Sequence, residues 1–226
     1  MQRFIPTTSR QMQRRRTITA LVVLGVLGVV LFLQFGRSFM GMTMPGWCTV
    51  PATDGEGVVR VAHGEAEAIV RTSVDANKAL ARASISCSYA PALGTTDLTL
   101  NKRGLTASAQ RMDEAVREIF GRIPDGGYEP GGVTTGHIPG SAHYEGRAID
   151  YFFRPYTDNK QKSQGWLLAQ WAVVHAEELD IATVIFDDMI WFRNSSSRGW
   201  QKYTHPSGNT TNPILRHLDH VHIDVR

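Results

Sequence analysis

The pattern of apolar and polar positions changes character several times along the chain. From Thr17 to Phe35 the residues are apolar or uncharged throughout. At about 1.5 Å per helical residue, such a run reaches across a hydrocarbon core of about 30 Å. It predicts one transmembrane helix over residues 17–36. Ser38 to Glu56 is rich in Gly, Pro, Thr and Met without a sustained period, as expected of a linker. Ala66, Ile69, Val70, Val74, Ala79 and Leu80 then recur at near-helical spacing and predict a helix over residues 64–83.

A second helix is predicted from Thr106, a capping residue, to Phe120, with Gly121 as its stop and Met112, Val116, Ile119 and Phe120 on its buried face. Residues 123–140 are Gly- and Pro-rich, and a loop of this length in a compact domain is more often functional than idle. Ala148 to Phe153 predicts a buried strand. Trp166, Leu167, Trp171 and Val174 mark a helix over residues 158–179. Residues 182–186 and 189–192 flank Asp187-Asp188 as two arms of a hairpin, and 220–225 alternates as a last strand.

Helices followed by short strands, without regular βαβ alternation, predict an α+β fold in which a small antiparallel sheet is flanked by helices. The expected organisation is a tail over 1–16, the membrane helix over 17–36, a linker and helical segment over 37–100, and one domain over 101–226. There is no internal repeat.

Charge refines the placement. Arg3, Arg10, Arg14, Arg15 and Arg16 precede the apolar run and only Arg37 follows closely. The positive-inside bias predicts a cytoplasmic amino terminus and an extracytoplasmic main domain in a single-pass cell-membrane protein. The net charge of +3 is misleading, because residues 1–37 hold six of the 24 Lys and Arg and no acid. The remaining 18 cationic residues face 21 acids, a net of minus three, so the basic pI gives no support for a nucleic-acid partner. The two cysteines, Cys48 and Cys87, are expected to form a disulfide in an oxidising compartment.

The candidate chemistry lies in two segments, Ser141-Ala-His143-Tyr-Glu-Gly146-Arg-Ala148-Ile-Asp150 and His217-Leu-Asp219-His220-Val-His222. Residues two apart on a strand share a face, so His220 and His222 project together. Asp150 on a buried strand needs a cation or a hydrogen-bond partner. Two imidazoles and a carboxylate suit one catalytic zinc ion with an open fourth position, although the same donor set also occurs at non-haem iron. His137 and His217 are candidates for the cleft wall and for orienting a ligand. Tyr151, Trp191, Trp200 and Tyr203 read as core aromatics.

Taken together, Ser141-x-His143-x-x-Gly146-x-Ala148-x-Asp150 and the late Asp219-His220-x-His222 resemble the zinc D-Ala-D-Ala carboxypeptidase family, which also includes murein endopeptidases and the zinc-bearing hedgehog signalling domain. The resemblance spans roughly residues 105–226. It implies a hedgehog-like peptidase fold, one Zn2+ held by His143, Asp150 and His222, and Asp219 as general base. His220 would stabilise the oxyanion or share the proton transfer, with Ser141 and Arg147 near the substrate. The implied function is cleavage of amide bonds in peptidoglycan stem peptides, by carboxypeptidase or endopeptidase action. The alternative is a catalytically silent, zinc-containing wall-binding or scaffolding module. Where many relatives carry a Gly-Tyr-Arg-like segment, this chain has Gly127-Tyr128-Glu129. Either Arg122 or Arg147 supplies the missing cation, or that role is absent.

Overall fold

The computed structural model describes residues 46–53, 56–92 and 94–226. Nine strands, three α-helices and two 3-10 helices follow one another in this part of the chain. Strands β1 (Trp47–Pro51) and β2 (Val58–Ala62) lead into α1 (His63–Asp75), then β3 (Ser86–Ser88) and α2 (Ala107–Phe120). After β4 (Asp125–Gly126) come a 3-10 helix (Ala142–Glu145), β5 (Ala148–Phe152) and α3 (Asn159–Val174). The chain closes with β6 (Ile181–Phe186), β7 (Met189–Phe192), a 3-10 helix (Arg193–Arg198), β8 (Gln201–Lys202) and β9 (His220–Val225).

The fold is α+β with antiparallel pairing throughout, but the expected single small sheet is two sheets, ordered β2-β1-β3 and β4-β5-β9-β6-β7-β8. The membrane helix is a further correction to the expected architecture. Among the described residues no helix is long and apolar enough to cross a membrane. The segment 17–36 for which it was expected lies outside the described residues, and a run of apolar residues by itself fixes only composition.

Residues 47–88, expected as linker and helix ahead of the domain, share one core with the rest. Cys48, Val50, Ala66, Val70, Ile85 and Cys87 join the same buried cluster as Met112, Trp166 and Trp191. Trp191 Nε1 donates to the Cys87 carbonyl at 3.2 Å, and Trp200 Nε1 to the Ile85 carbonyl at 2.8 Å. The cysteines oppose each other across β1 and β3 and form the expected disulfide. Replacing both with alanine frees a loop spanning 39 positions and is expected to cost about 2–4 kcal/mol, read as a lower urea midpoint.

Helix boundaries differ from the periodicity where local chemistry intervenes. α1 stops at Asp75 rather than near residue 83, because Asn77 adopts a left-handed conformation, φ 48°, that asparagine tolerates well. α2 begins as expected, with the Thr106 hydroxyl accepting from the Ala109 N–H. α3 is buried on every side from Gly165 to Val174, with Gln170 as the one polar side chain among apolar residues and glycine, so its end is not marked by periodicity.

The Asp187-Asp188 hairpin forms with both aspartates at positive φ, 48° and 60°. Side-chain contacts replace the glycine such a turn favours: Trp166 Nε1 and Lys162 Nζ meet the Asp187 carboxylate at 3.2 and 3.1 Å, and Arg216 Nε meets Asp188 at 2.9 Å. The turn matters for the site, because its Asp187 N–H donates to the His217 carbonyl at 2.8 Å and fixes the segment leading into β9.

Candidate metal centre

The larger sheet brings the two motif segments together. In the register of β5 with β9, Asp150 stands directly opposite His222, and Phe152 opposite His220. Opposed residues project from one face. His143 reaches the same point from the 3-10 helix, whose start is capped by Ser141 Oγ and whose end turns at Gly146, φ 65°.

Three donor atoms meet there. His143 Nε2 lies 3.1 Å from His222 Nδ1 and 3.3 Å from Asp150 Oδ1, and His222 Nδ1 lies 3.0 Å from Asp150 Oδ1. All three residues are buried. Bonds of about 2.0–2.1 Å to a tetrahedral ion place its donors about 3.3 Å apart, so the spacing suits one small metal ion.

The outer partners point to the same conclusion. His143 Nδ1 faces the Gly127 carbonyl at 2.7 Å, which only accepts, so Nδ1 carries the proton and Nε2 of the neutral ring presents a lone pair. His222 Nε2 faces Asp224 at 3.6 Å, which favours the proton on that nitrogen and leaves Nδ1 as the donor. Burial opposes ionisation of Asp150, but hydrogen bonds and charges from the two imidazoles outweigh it and hold the carboxyl well below its usual range. Burial also disfavours a charged His222, yet Asp150 and Asp224 raise it to about 9. The cluster therefore demands positive charge at one point, which either a proton or a divalent ion supplies.

His220 stands beside this set. Its Nδ1 is 2.8 Å from Asp219 Oδ1, and its Nε2 is 3.8 Å from Asp150 Oδ1. The other Asp219 oxygen accepts from Arg154 through Nε and Nη2, both at 2.7 Å. Burial raises the Asp219 carboxyl, but His220 and Arg154 bring it below its usual value. Asp219 is thus an ionised group with both oxygens engaged.

The remaining candidates divide. His137 stacks on His143 with ring centres 4.0 Å apart. His217 packs 4.6 Å from the His220 ring and 5.7 Å from that of His222. Burial pushes His217 well below the ordinary histidine range, and its Nδ1 is buried with no hydrogen-bond partner among the described residues. Tyr151 and Trp191 are buried as expected, whereas Tyr203 lines the cleft and packs edge-on to His217.

Neither arginine considered as the missing cation enters the cleft. Arg147 pairs with Glu145 and donates to the Val225 carbonyl, and Arg122 is exposed. The reason is parity: residues 148, 150 and 152 share the site face, so 147 does not. Arg154 continues the site-facing parity past the end of β5, lies over the Phe152 ring at 4.1 Å, and is the arginine that lines the cleft. Sequence reasoning missed Arg154, Asp224 and the Gly127 carbonyl. The same parity marks Arg154 from Asp150 and Asp224 from His222. No sequence signal marks a carbonyl.

No curated protein and no solved structure matches the chain. A family model described as VldE, C-terminal domain, matches residues 101–214, a stretch that includes His143 and Asp150 and stops short of Asp219, His220 and His222. With half of its length covered by that match, the chain belongs to the VldE C-terminal domain family.

Proposed function

We propose that the chain is a zinc-dependent peptidase that hydrolyses amide bonds, with peptidoglycan stem peptides as the substrates its sequence motifs imply. The observation that carries this reading is the convergence of His143, Asp150 and His222 at 3.0–3.3 Å with the His220 imidazole beside them in an open cleft of about 740 Å3. The disulfide supports action in an oxidising compartment, where wall peptides are found.

Zinc, when bound by these three residues, supplies a Lewis acid that polarises the substrate carbonyl and acidifies a water molecule. The protein's own part is to hold that geometry and move a proton. Arg154 and Asp219 fix the His220 ring so that Nδ1 donates to Asp219 and Nε2 keeps a free lone pair toward the reacting centre. We assign proton acceptance to Nε2 of His220 and anchoring to Asp219, whose oxygens are both occupied, in place of the direct base role that the motif alone implied for Asp219. Nε2 takes a proton from the attacking water as the C–O bond forms, and returns it to the departing amine nitrogen as the C–N bond breaks.

The test is digestion of muropeptides and of blocked peptides by the full chain, with and without a chelator. Metal-dependent release of amine is expected, with a loss of about 10²–10⁴-fold in kcat for His220→Ala at unchanged zinc content. Zinc binding without turnover of any peptide would sink the peptidase reading in favour of a silent wall-binding module.

A further inference from the structure

The cleft floor is built from two chemically different halves of one sheet. Asp150, His222, Ile185 and Ile190 oppose one another in a single row across β5, β9, β6 and β7. The next row runs from Asp224 through Thr183 to Phe192. Adjacent strands lie about 4.8 Å apart, so an apolar floor begins one strand from the metal donors and extends about 10 Å from them. Ile185 and Ile190 are each 8% exposed, while Phe192 at 40% and Ile214 at 53% stand at the rim. Large side chains of this kind, grouped beside a polar reacting centre, are the usual lining of a ligand pocket.

The charges of the cleft are equally one-sided. Among the described residues that line it, Arg154 is the one arginine or lysine, and both its Nε and Nη2 are bound to Asp219. Outside the metal site, a free carboxylate beside the reacting centre would meet Asp150 and Asp224, with the remaining N–H groups of the already paired Arg154 as the one fixed cation among the described lining residues. A carboxyl-terminal residue is therefore a poor fit, and a neutral backbone continuing in both directions is a good one.

We propose that the β6–β7 half of the cleft is a subsite for a large aliphatic or aromatic side chain adjacent to the cut bond, and that this bond lies inside its chain rather than next to a free carboxylate. The proposal rests on the amide-hydrolysis part of the peptidase reading alone and departs from its stem-peptide substrates. Stem peptides offer alanine methyls and acidic groups, so they also serve as a contrasting arm of the test.

The experiment uses the zinc-loaded full chain with peptides acetylated at one end and amidated at the other, carrying Leu, Phe, Ala or Glu beside the scissile bond. An Ala peptide with a free carboxyl terminus and a muropeptide complete the set. Leu and Phe peptides are expected to exceed Ala in kcat/KM by about tenfold or more. That ratio should fall toward one in Phe192→Ser combined with Ile214→Ser, two rim positions whose exposure makes them tolerant of change. Binding is read separately, by saturation-transfer NMR with acetyl-phenylalanine amide on the parent and on the double variant. A signal in the parent that is lost in the variant is expected. Binding of this kind without any turnover overturns the peptidase reading and leaves the subsite standing. Equal binding to both proteins, or faster cleavage of the Glu, free-carboxylate or muropeptide substrates, overturns the subsite.

Discussion

Replacing Asp150 with asparagine is expected to abolish tight metal binding while keeping the shape of the site. The carboxylate is the one anionic donor of the three, and it faces both imidazoles, at 3.3 Å from His143 and 3.0 Å from His222. An amide of the same size offers a neutral oxygen, so the demand for positive charge at the cluster falls. Changes to the outer partners of metal ligands typically cost 10–100-fold in affinity, and loss of a charged donor should exceed about 100-fold. The parent should gain stability from added zinc, by about 4 kcal/mol at a concentration 1,000 times the dissociation constant. Thermal unfolding with and without zinc reads this directly. An Asp150→Asn protein stabilised by zinc as much as the parent would show that the cluster is not the site.

Gly127→Ala is expected to have the next largest effect, although Gly127 is no donor itself. A Cβ at this position would lie 2.3 Å from Cε1 and 2.5 Å from Nδ1 of His143, and the backbone is at φ +81°. The same residue's carbonyl receives the His143 Nδ1–H. The methyl must therefore push the imidazole out of line or twist the peptide that orients it. Zinc affinity should drop about 10–100-fold, with about 1–3 kcal/mol lost in stability. Gly131→Ala is the control, because Gly131 is also at positive φ, 88°, but nothing lies within 4 Å of its added Cβ. The two variants share the backbone strain and differ in the clash. Equal zinc affinity in both would show that the His143 contact does not matter.

The clustering of His143, Asp150 and His222 was legible in the sequence because period two and short spacings carry through to space. His220 and His222 share a face of β9, and the seven-residue step from His143 to Asp150 spans one 3-10 turn and the start of β5. The hairpin at Asp187-Asp188 was legible for the same reason. The first sheet was not, because β1 and β3 are only five and three residues long and sit among Gly, Pro and Ser that read as linker. Their order comes from the disulfide and from burial against distant residues such as Trp191, which no local pattern encodes. Arg147 was a plausible cation by distance along the chain, yet it lies on the wrong parity, and Arg154 two residues past β5 lies on the right one. The anchoring role proposed for Asp219 likewise rests on Arg154, a partner 65 positions away that no spacing in the motif reveals.

Metal content tests the central claim most directly. Full-length protein, equilibrated with zinc and dialysed without chelator, should retain about one zinc ion per chain by elemental analysis, and Asp150→Asn treated identically should retain essentially none. A parent protein that keeps no zinc, or an Asp150→Asn variant that keeps as much as the parent, would contradict the account.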